Sequence, residues 1–334
     1  MRGYDIIGDV HGMATLLEER LESLDYRINP ETGAYTHPER TAVFVGDLVD
    51  RGAEQLRTLQ LVKAMVDAGN ALIVMGNHEF NALAYSIEHP AGSGQYLRPH
   101  DSRNNHQHEA FLDQLTDAEK QHYLEWFWTL PLWLDLYELR VVHACWHEPS
   151  MEVVIAELGG DRFTTVKQLI RATDKSSDLY WAVETLLKGP EMNLVDRELP
   201  RFLDKEDHPR GKARIRWWHE NATQLKDFAE LSTFRAEGGG PYPDVDNFAA
   251  NAEEQAFSYS GGVPVFYGHY WREGVPEHQL DWTAHTACVD FSAVRGGTLV
   301  AYRWSGEKTI QLAHYVPHGA DVVAQQPSEE VVAL

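Results

Sequence analysis

Three short glycine-led motifs constrain the fold of this 334-residue chain more than any other feature. They are GDVHG (8–12), GDLVDRG (46–52) and GNHE (76–79). Each follows a run of β-forming residues and precedes a helical pattern, which predicts strands at 4–7, 41–45 and 71–75. Strands that alternate with helices favour an α/β sheet with mainly parallel strands, and ligands bind beyond the carboxyl ends of such strands. We therefore expect all three motifs at one crevice.

The rest of the chain divides by composition. Residues 90–108 are rich in Gly, Ser, Pro, Asn and His and predict a long surface loop. Two strands are expected at 133–136 and 139–143, helices within 151–188, a weak pattern over 190–262, and strands at 263–267, 287–291 and 298–304. We expect one domain over 1–320 that includes an insertion over the site rim at 150–260. Residues 321–334 are expected to form a loosely held tail.

The charge balance excludes some classes of protein. The chain has 29 basic against 51 acidic residues, a net charge of −22, which disfavours proteins that coat nucleic acids or bind anionic membrane surfaces. No apolar run approaches the roughly 20 residues of a membrane span. The motifs begin at Gly8, which leaves little room for a signal peptide before them, and the two cysteines are expected to be buried thiols. We expect a soluble cytoplasmic protein.

The side chains in and after these motifs are typical of a metal site. Two later histidines also follow β-type runs, in VVHACW and VFYGHYW. Carboxylate, imidazole and amide groups without a thiolate suit Mn, Fe or Zn, and six candidate ligands are too many for one ordinary catalytic zinc. They suit two divalent ions that share a bridging carboxylate, which would make a cationic site within an acidic protein. The six candidates are Asp9, His11, Asp47, Asn77, His143 and His269.

The motifs, taken in order, resemble the calcineurin-like metallophosphoesterases. The closest likeness is to the phosphoprotein phosphatase branch, which also contains the symmetrical diadenosine tetraphosphatases. LPLWLDLYELRVVHA, GHY and CVDFSAVRGGTLVAYRW extend the resemblance, which covers about 4–146 and 262–304. It implies an α/β fold with a two-sheet β-sandwich flanked by helices, together with a mostly helical or irregular insertion.

The resemblance also implies a role for each site residue. One metal would be held by Asp9, His11 and bridging Asp47, and the other by Asp47, Asn77, His143 and His269. A hydroxide that bridges the metals would attack phosphorus in line. The general acid, the carboxylate that orients it and the phosphate-binding arginine would be His78, Asp50 and Arg51, respectively.

The sequence departs from the family pattern at Trp271, where many phosphodiesterases of the family have a second histidine. A second phosphate-binding arginine is expected from the insertion, where Arg214 and Arg216 are the candidates. A basic surface strand beside packed tryptophans explains that segment equally well. The three histidines at 100, 106 and 108 are expected to be solvated or to pack within the loop.

Three functions stay open at this point. The first is a dinuclear, metal-dependent phosphatase that acts on phosphomonoesters, either phosphoproteins or small molecules, with two Mn ions as the expected metals and Fe or Zn as the alternatives. The second is a diadenosine tetraphosphatase-type nucleotide pyrophosphohydrolase. The third, a catalytically inactive binding protein of the same fold, is disfavoured by the intact set of ligands together with His78 and Arg51.

Overall fold

The structure is a computed structural model, which describes residues 3–203, 207–220, 222–231, 235–243, 245 and 248–316. The tail predicted at 321–334 lies outside these residues. Within the described ranges, no helix is both long and apolar enough to cross a membrane.

The strands are mostly short. In chain order they are β1 (Gly3–Ile7), β2 (Arg27–Ile28), β3 (Tyr35–Thr36), β4 (Arg40–Phe44), β5 (Ala71–Ile73), β6 (Trp133–Asp135), β7 (Arg140–Val142), β8 (Glu191–Asn193), β9 (Phe202–Leu203), β10 (Pro209–Arg210), β11 (Lys212–Arg214), β12 (Arg235–Ala236), β13 (Val265–Tyr267), β14 (Thr286–Cys288), β15 (Asp290–Phe291), β16 (Thr298–Leu299), β17 (Ala301–Trp304) and β18 (Tyr315–Val316).

The helices lie mainly in the first two-thirds of the chain. They are α1 (Ala14–Ser23), α2 (Gln55–Asp67), α3 (Asn77–Ser86), α4 (Ser102–Gln114), α5 (Asp117–Phe127), α6 (Glu148–Leu158), α7 (Val166–Thr173), α8 (Asp178–Lys188), α9 (Leu225–Phe228) and α10 (Ala252–Gln255).

Two sheets form the centre of the fold. The first has the order β18-β17-β1-β4-β5, in which β1, β4 and β5 are parallel as the sequence predicts. The second has the order β14-β13-β7-β6, in which β13 pairs in parallel with both β14 and β7. The carboxyl ends of these parallel strands carry the motifs.

Alternation along the strands explains why the sheets pack face to face. Side chains two residues apart point to the same face, so Ile6 and Val43 meet Val141 and Phe266 in a buried layer between the sheets. The opposite face of the first sheet buries Ile7 and Phe44 in the cluster that contains the apolar sides of α1 and α2. The predicted β-sandwich flanked by helices is confirmed.

The segment 150–260 begins with helices and continues with short strands. Helices α6 and α8 pack on each other and contribute to the same cluster as the outer face of the second sheet. The weak pattern after residue 190 is a set of short strands and turns around a smaller apolar cluster that includes Met192, Leu225 and Phe228. Its assignment as an insertion within a single domain stays a prediction.

The prediction of a long loop over 90–108 is wrong for its second half, because helix α4 begins at Ser102. Asp101 caps this helix, since its side chain accepts a hydrogen bond from the Asn104 backbone N–H at 2.8 Å. The polar composition of this segment indicated a loop, but the segment forms a helix. Its buried face includes His108 and Phe111, which are three residues apart.

Candidate metal centre and active site

Every predicted metal ligand follows a strand of one of the two central sheets by one to four residues. The strands that precede them are β1, β4, β5, β7 and β13, with Asn77 as the first residue of α3. The two sheets thus bring residues from five separate segments to one crevice.

Two glycines allow the ligand loops to approach each other. Gly46 has φ +98°, and a Cβ there would lie 2.5 Å from the Gly76 nitrogen. A Cβ on Gly268 would lie 2.1 Å from Oδ1 of Asp9. A side chain at either position would push apart the loops that carry Asp9, Asp47 and Asn77.

The backbone at the site adopts the left-handed conformation at several non-glycine residues. Such conformations cost about 1–3 kcal/mol each and cluster at functional sites. The predicted site residues with positive φ are His11, Asp47, Asp50, Arg51 and His269. The fold therefore sustains local strain where the motifs lie.

Asp47 lies at the centre of the site. Its Oδ2 atom is 3.6 Å from Nε2 of His11 and 3.4 Å from Nε2 of His143. One group of possible ligand atoms consists of His11, Asp47 and His78, and a second consists of Asp47, His143 and His269. Each group lies within 4.8 Å, and Asp47 belongs to both. This geometry suits a carboxylate that bridges two ions.

The hydrogen bonds of two histidines fix the tautomer that binds metals. Nδ1 of His11 donates to the Val49 carbonyl at 2.8 Å, and Nδ1 of His143 donates to the Val45 carbonyl at 2.7 Å. In the neutral ring, Nε2 then carries a lone pair. For His143 that lone pair faces the Asn77 side-chain oxygen at 3.0 Å as well as Asp47. A divalent ion at this point would be coordinated by all three side chains.

The second group closes through Asn77 and His269. The side-chain oxygen of Asn77 lies 2.8 Å from Nδ1 of His269, and the His269 backbone N–H donates to Oδ2 of Asp9 at 3.1 Å. Oδ1 of Asp9 and Nε2 of His11 are buried with no hydrogen-bond partner among the described residues. These orphaned atoms fit a metal site.

Electrostatics agree with this fit. Burial, together with the charges of His78 and Arg51, lowers the pKa of His11 to about 3, which keeps the ring neutral as a ligand must be. Burial and the carboxylates of Asp290 and Asp47 raise the pKa of Asp9 well above its usual value. A divalent cation would offset the repulsion between these buried carboxylates.

His78 is held by Asp50, as the resemblance implies. Nδ1 of His78 lies 2.5 Å from Oδ2 of Asp50, while its Nε2 faces Oδ2 of Asp47 at 3.8 Å. Burial lowers the pKa of His78, but Asp47 and Asp50 outweigh burial and raise it overall, which favours the protonated form of an acid. This geometry also groups His78, and not Asp9, with His11 and Asp47, so an acid role and a ligand role both need a test.

The expectation that His108 is solvated or packs within a loop is wrong. It lies on α4, is 4% exposed, and its Nδ1 is 2.6 Å from Oδ1 of Asp50. His106 is exposed on the same helix, and His100 stacks on Tyr85 and Tyr96. The Asp101 cap was the sequence signal that could have placed His108 on a buried helical face.

Arg51 stacks on the tryptophan that departs from the family pattern. Its Cζ lies 3.9 Å from the centre of the Trp271 ring, and Cζ of Arg295 lies 4.4 Å from the same ring. Such cation–π contacts orient guanidinium groups. The sequence reasoning did not single out Arg295, although it lies within the CVDFSAVRGG motif.

The two candidate arginines of the insertion differ in their surroundings. Burial, followed by the positive charge of Arg214, lowers the pKa of His269. The Nη1 atom of Arg214 is buried without a hydrogen-bond partner among the described residues. Arg216 forms an ion pair with Glu230, which also binds Arg272. The charge of Arg214 therefore acts on the second group of ligand atoms, whereas Arg216 is ion-paired with Glu230.

Glu79, the last residue of GNHE, is fully buried and holds two ligand loops together. Its carboxylate accepts hydrogen bonds from the backbone N–H groups of Asp47 at 2.9 Å, Leu48 at 2.8 Å and Gly76 at 2.9 Å. The sequence reasoning assigned it no role. The bonds tie the GDLVDRG turn to the start of α3.

His78 and Arg51 line a groove of about 950 Å³. Arginines 103, 210 and 295 also line it, with Glu109 as the acidic lining residue. In a chain of net charge −22, this concentration of positive charge marks a surface suited to anions.

A model of the calcineurin-like phosphoesterase family matches residues 4–270, a range that contains all six predicted metal ligands. The chain belongs to the calcineurin-like phosphoesterases. Members of this family hydrolyse phosphoesters, so the chain is an enzyme and not the inactive binding protein considered above.

Relatives of this phosphoesterase carry tetraphosphatase names. It is 35% identical over 320 residues to an asymmetrical bis(5'-nucleosyl)-tetraphosphatase of Bacillus velezensis, and the matched region covers 95% of each chain. It is 29% identical over 310 residues to a symmetrical bis(5'-nucleosyl)-tetraphosphatase of Marinomonas sp., which covers 89% of this chain and 92% of the relative.

Other matches cover a shorter segment or have low identity. An asymmetrical bis(5'-nucleosyl)-tetraphosphatase of Halalkalibacterium halodurans is 46% identical over 85 residues, and the chain spans only 34% of that relative. A solved serine/threonine phosphatase of Saccharomyces cerevisiae is 16% identical with a TM-score of 0.45, over 90% of this chain and 72% of that one.

Proposed function

We propose that this phosphoesterase hydrolyses phosphoric esters or anhydrides at a site for two divalent ions that share Asp47. The observation that carries the proposal is the position of Asp47, whose carboxylate belongs to both groups of possible ligand atoms. When bound, two such ions would activate water and neutralise phosphate charge. Mn is the ion we expect first, and Fe and Zn suit the same donors.

The side chains around the ligands have separate tasks in this proposal. A water oxygen forms a bond to phosphorus and releases one proton to the solvent, from which His78 is later reprotonated, and the bond to the leaving oxygen breaks with its electron pair on that oxygen. His78 donates its Nε2 proton to that oxygen, and Asp50 holds the His78 ring through Nδ1. Arg51, fixed on Trp271, binds phosphate oxygens with a planar guanidinium.

Arg214 is proposed as the second phosphate-binding arginine. Replacing Arg214 with Gln should lower kcat/KM about 10- to 100-fold, which corresponds to the loss of one charge-assisted hydrogen bond of about 1.5–3 kcal/mol. Arg216→Gln is the matched control on the same segment. Because Arg216 pairs with Glu230, that variant should unfold at lower denaturant concentration yet keep its kcat/KM. The reverse pattern in steady-state kinetics and urea unfolding would exchange the two roles.

Two observations favour a nucleoside polyphosphate over a phosphoprotein as the substrate. The long relatives are named as bis(5'-nucleosyl)-tetraphosphatases. The cationic groove is far larger than one phosphate group, and His78 and Arg51 are among its lining residues. It can therefore hold further phosphates of a chain whose reacting phosphate is at the ligands. Phosphomonoesters stay the second candidate, since the ligand set suits both. A cytoplasmic location stays a prediction.

A substrate panel tests this choice. With Mn²⁺, the enzyme should show higher kcat/KM for diadenosine tetraphosphate than for p-nitrophenyl phosphate or a phosphopeptide. Arg103→Gln, within the groove, should raise KM for diadenosine tetraphosphate roughly 3- to 10-fold, by loss of a partly screened charge–phosphate contact, and leave KM for p-nitrophenyl phosphate within about twofold.

Arg171→Gln is the control for this variant, because Arg171 lies outside the groove and pairs with Glu157. It should change neither KM. Equal KM changes for both substrates in the Arg103 variant, or a preference of the unmodified enzyme for the phosphopeptide, would favour a phosphomonoester instead.

A further inference from the structure

The carboxylate of Asp50 has an imidazole on each oxygen. Oδ2 lies 2.5 Å from Nδ1 of His78, and Oδ1 lies 2.6 Å from Nδ1 of His108. Both histidines and Asp50 are buried, with exposed fractions of 8%, 4% and 2%. The general acid proposed above is therefore one end of a three-residue arrangement.

His108 is itself fixed by packing. Its ring stacks on Phe111 of the same helix, with ring centres 4.8 Å apart, and lies 5.2 Å from the ring of Tyr85 on α3. Helix α4 thus presents the Nδ1 atom to Asp50 from a packed face. The contact between His108 and Asp50 therefore comes from a helix that lies outside the three motifs.

The backbone of Asp50 is also held, but its side chain depends on the two rings. The Asp50 N–H donates to the Gln55 side-chain oxygen at 2.8 Å. Rotation about the last side-chain bond of an aspartate is broad, so one hydrogen bond to His78 leaves the plane of the carboxylate poorly defined. A second donor on the other oxygen defines that plane and, through it, the direction of the His78 ring.

We propose that His108 is a positioning residue, which holds Asp50 so that Nε2 of His78 points at the leaving oxygen. The inference rests on the proposed function and adds to it a residue outside the three motifs. His108 keeps its Nδ1 proton on Asp50 throughout and transfers none. Because a misplacement of about 1 Å can cost about 100-fold in rate, loss of this support should affect the step that uses the acid.

The test uses two substrates that differ in their need for acid, phenyl phosphate and p-nitrophenyl phosphate, in Mn²⁺. His108→Leu should lower kcat about 10- to 100-fold for phenyl phosphate and less than about threefold for p-nitrophenyl phosphate, with KM and Mn²⁺ affinity unchanged. His108→Asn should recover most of the lost rate, because its amide nitrogen can replace Nδ1 as donor. His122→Leu, at an exposed position of α5, should change nothing.

Each outcome bears on the proposal separately from the proposed function. Equal losses on both substrates, or no loss, would show that His108 is only structural. If His108→Leu fails to fold, His108→Phe takes its place, because it can still stack on Phe111 but cannot donate to Asp50. Combined with Asp50→Asn, it should lose no more rate than Asp50→Asn alone. An unmodified enzyme inactive on every substrate would overturn the proposed function instead, and a His78→Asn variant without leaving-group dependence would overturn the acid assignment.

Discussion

Replacing Asp47 with Asn should abolish hydrolysis and reduce bound metal below two ions per chain. Oδ2 of Asp47 faces both groups of ligand atoms, so the change removes the charge that both ions would share. Loss of outer-shell partners alone costs 10- to 100-fold in metal affinity or activity, and loss of the bridging ligand should cost more. The fold should survive, because the side chain keeps its shape and Oδ1 can still accept from the His78 N–H at 3.0 Å.

Elemental analysis and steady-state kinetics of the purified variant check this expectation. Asp113→Asn, at an exposed position of α4, is the control for the same chemical change. Two bound metals together with unchanged activity in the Asp47 variant would show that Asp47 does not bridge.

Replacing His78 with Asn should separate acid catalysis from metal binding. If His78 donates the proton, kcat should fall about 10²- to 10⁴-fold for phenyl phosphate, whose leaving group needs protonation. The loss should shrink for p-nitrophenyl phosphate, because nitrophenolate leaves without much help. Both metals and KM should be retained, since Asn77 and not His78 is the proposed ligand at this turn.

The geometry makes this experiment decisive for His78. Its Nε2 lies 3.8 Å from Oδ2 of Asp47, close enough for a ligand role with His11. Loss of one metal from the variant, or equal losses on both substrates, would assign His78 to the metal instead of the leaving group.

The sequence predicted the parts of the fold that depend on local patterns. The β-type runs before each motif are strands β1, β4 and β5, and the helical runs after the first two are α1 and α2. Because parallel strands share one carboxyl edge, the convergence of Asp9, Asp47 and Asn77 followed from topology. That His143 and His269 reach the same crevice depends on the second sheet, in which β7 pairs with β13 from a distant segment of the chain. The sequence did not indicate this pairing.

Contacts between segments far apart in the chain could not be predicted. His108 meets Asp50 across 58 residues, and a polar segment hid the helix that carries it. The ion pair of Arg216 with Glu230 depends on a turn that returns the chain beside β11. Likewise, no local pattern indicates that Arg51 and Arg295 both stack on Trp271.

The most direct test of the dinuclear centre is the anomalous difference density of a crystal grown with Mn²⁺. We expect two peaks about 3.5–4 Å apart, one beside His11 and the other beside His143 and His269, with the Asp47 carboxylate between them. A single peak, or two peaks that do not share Asp47, would contradict the account.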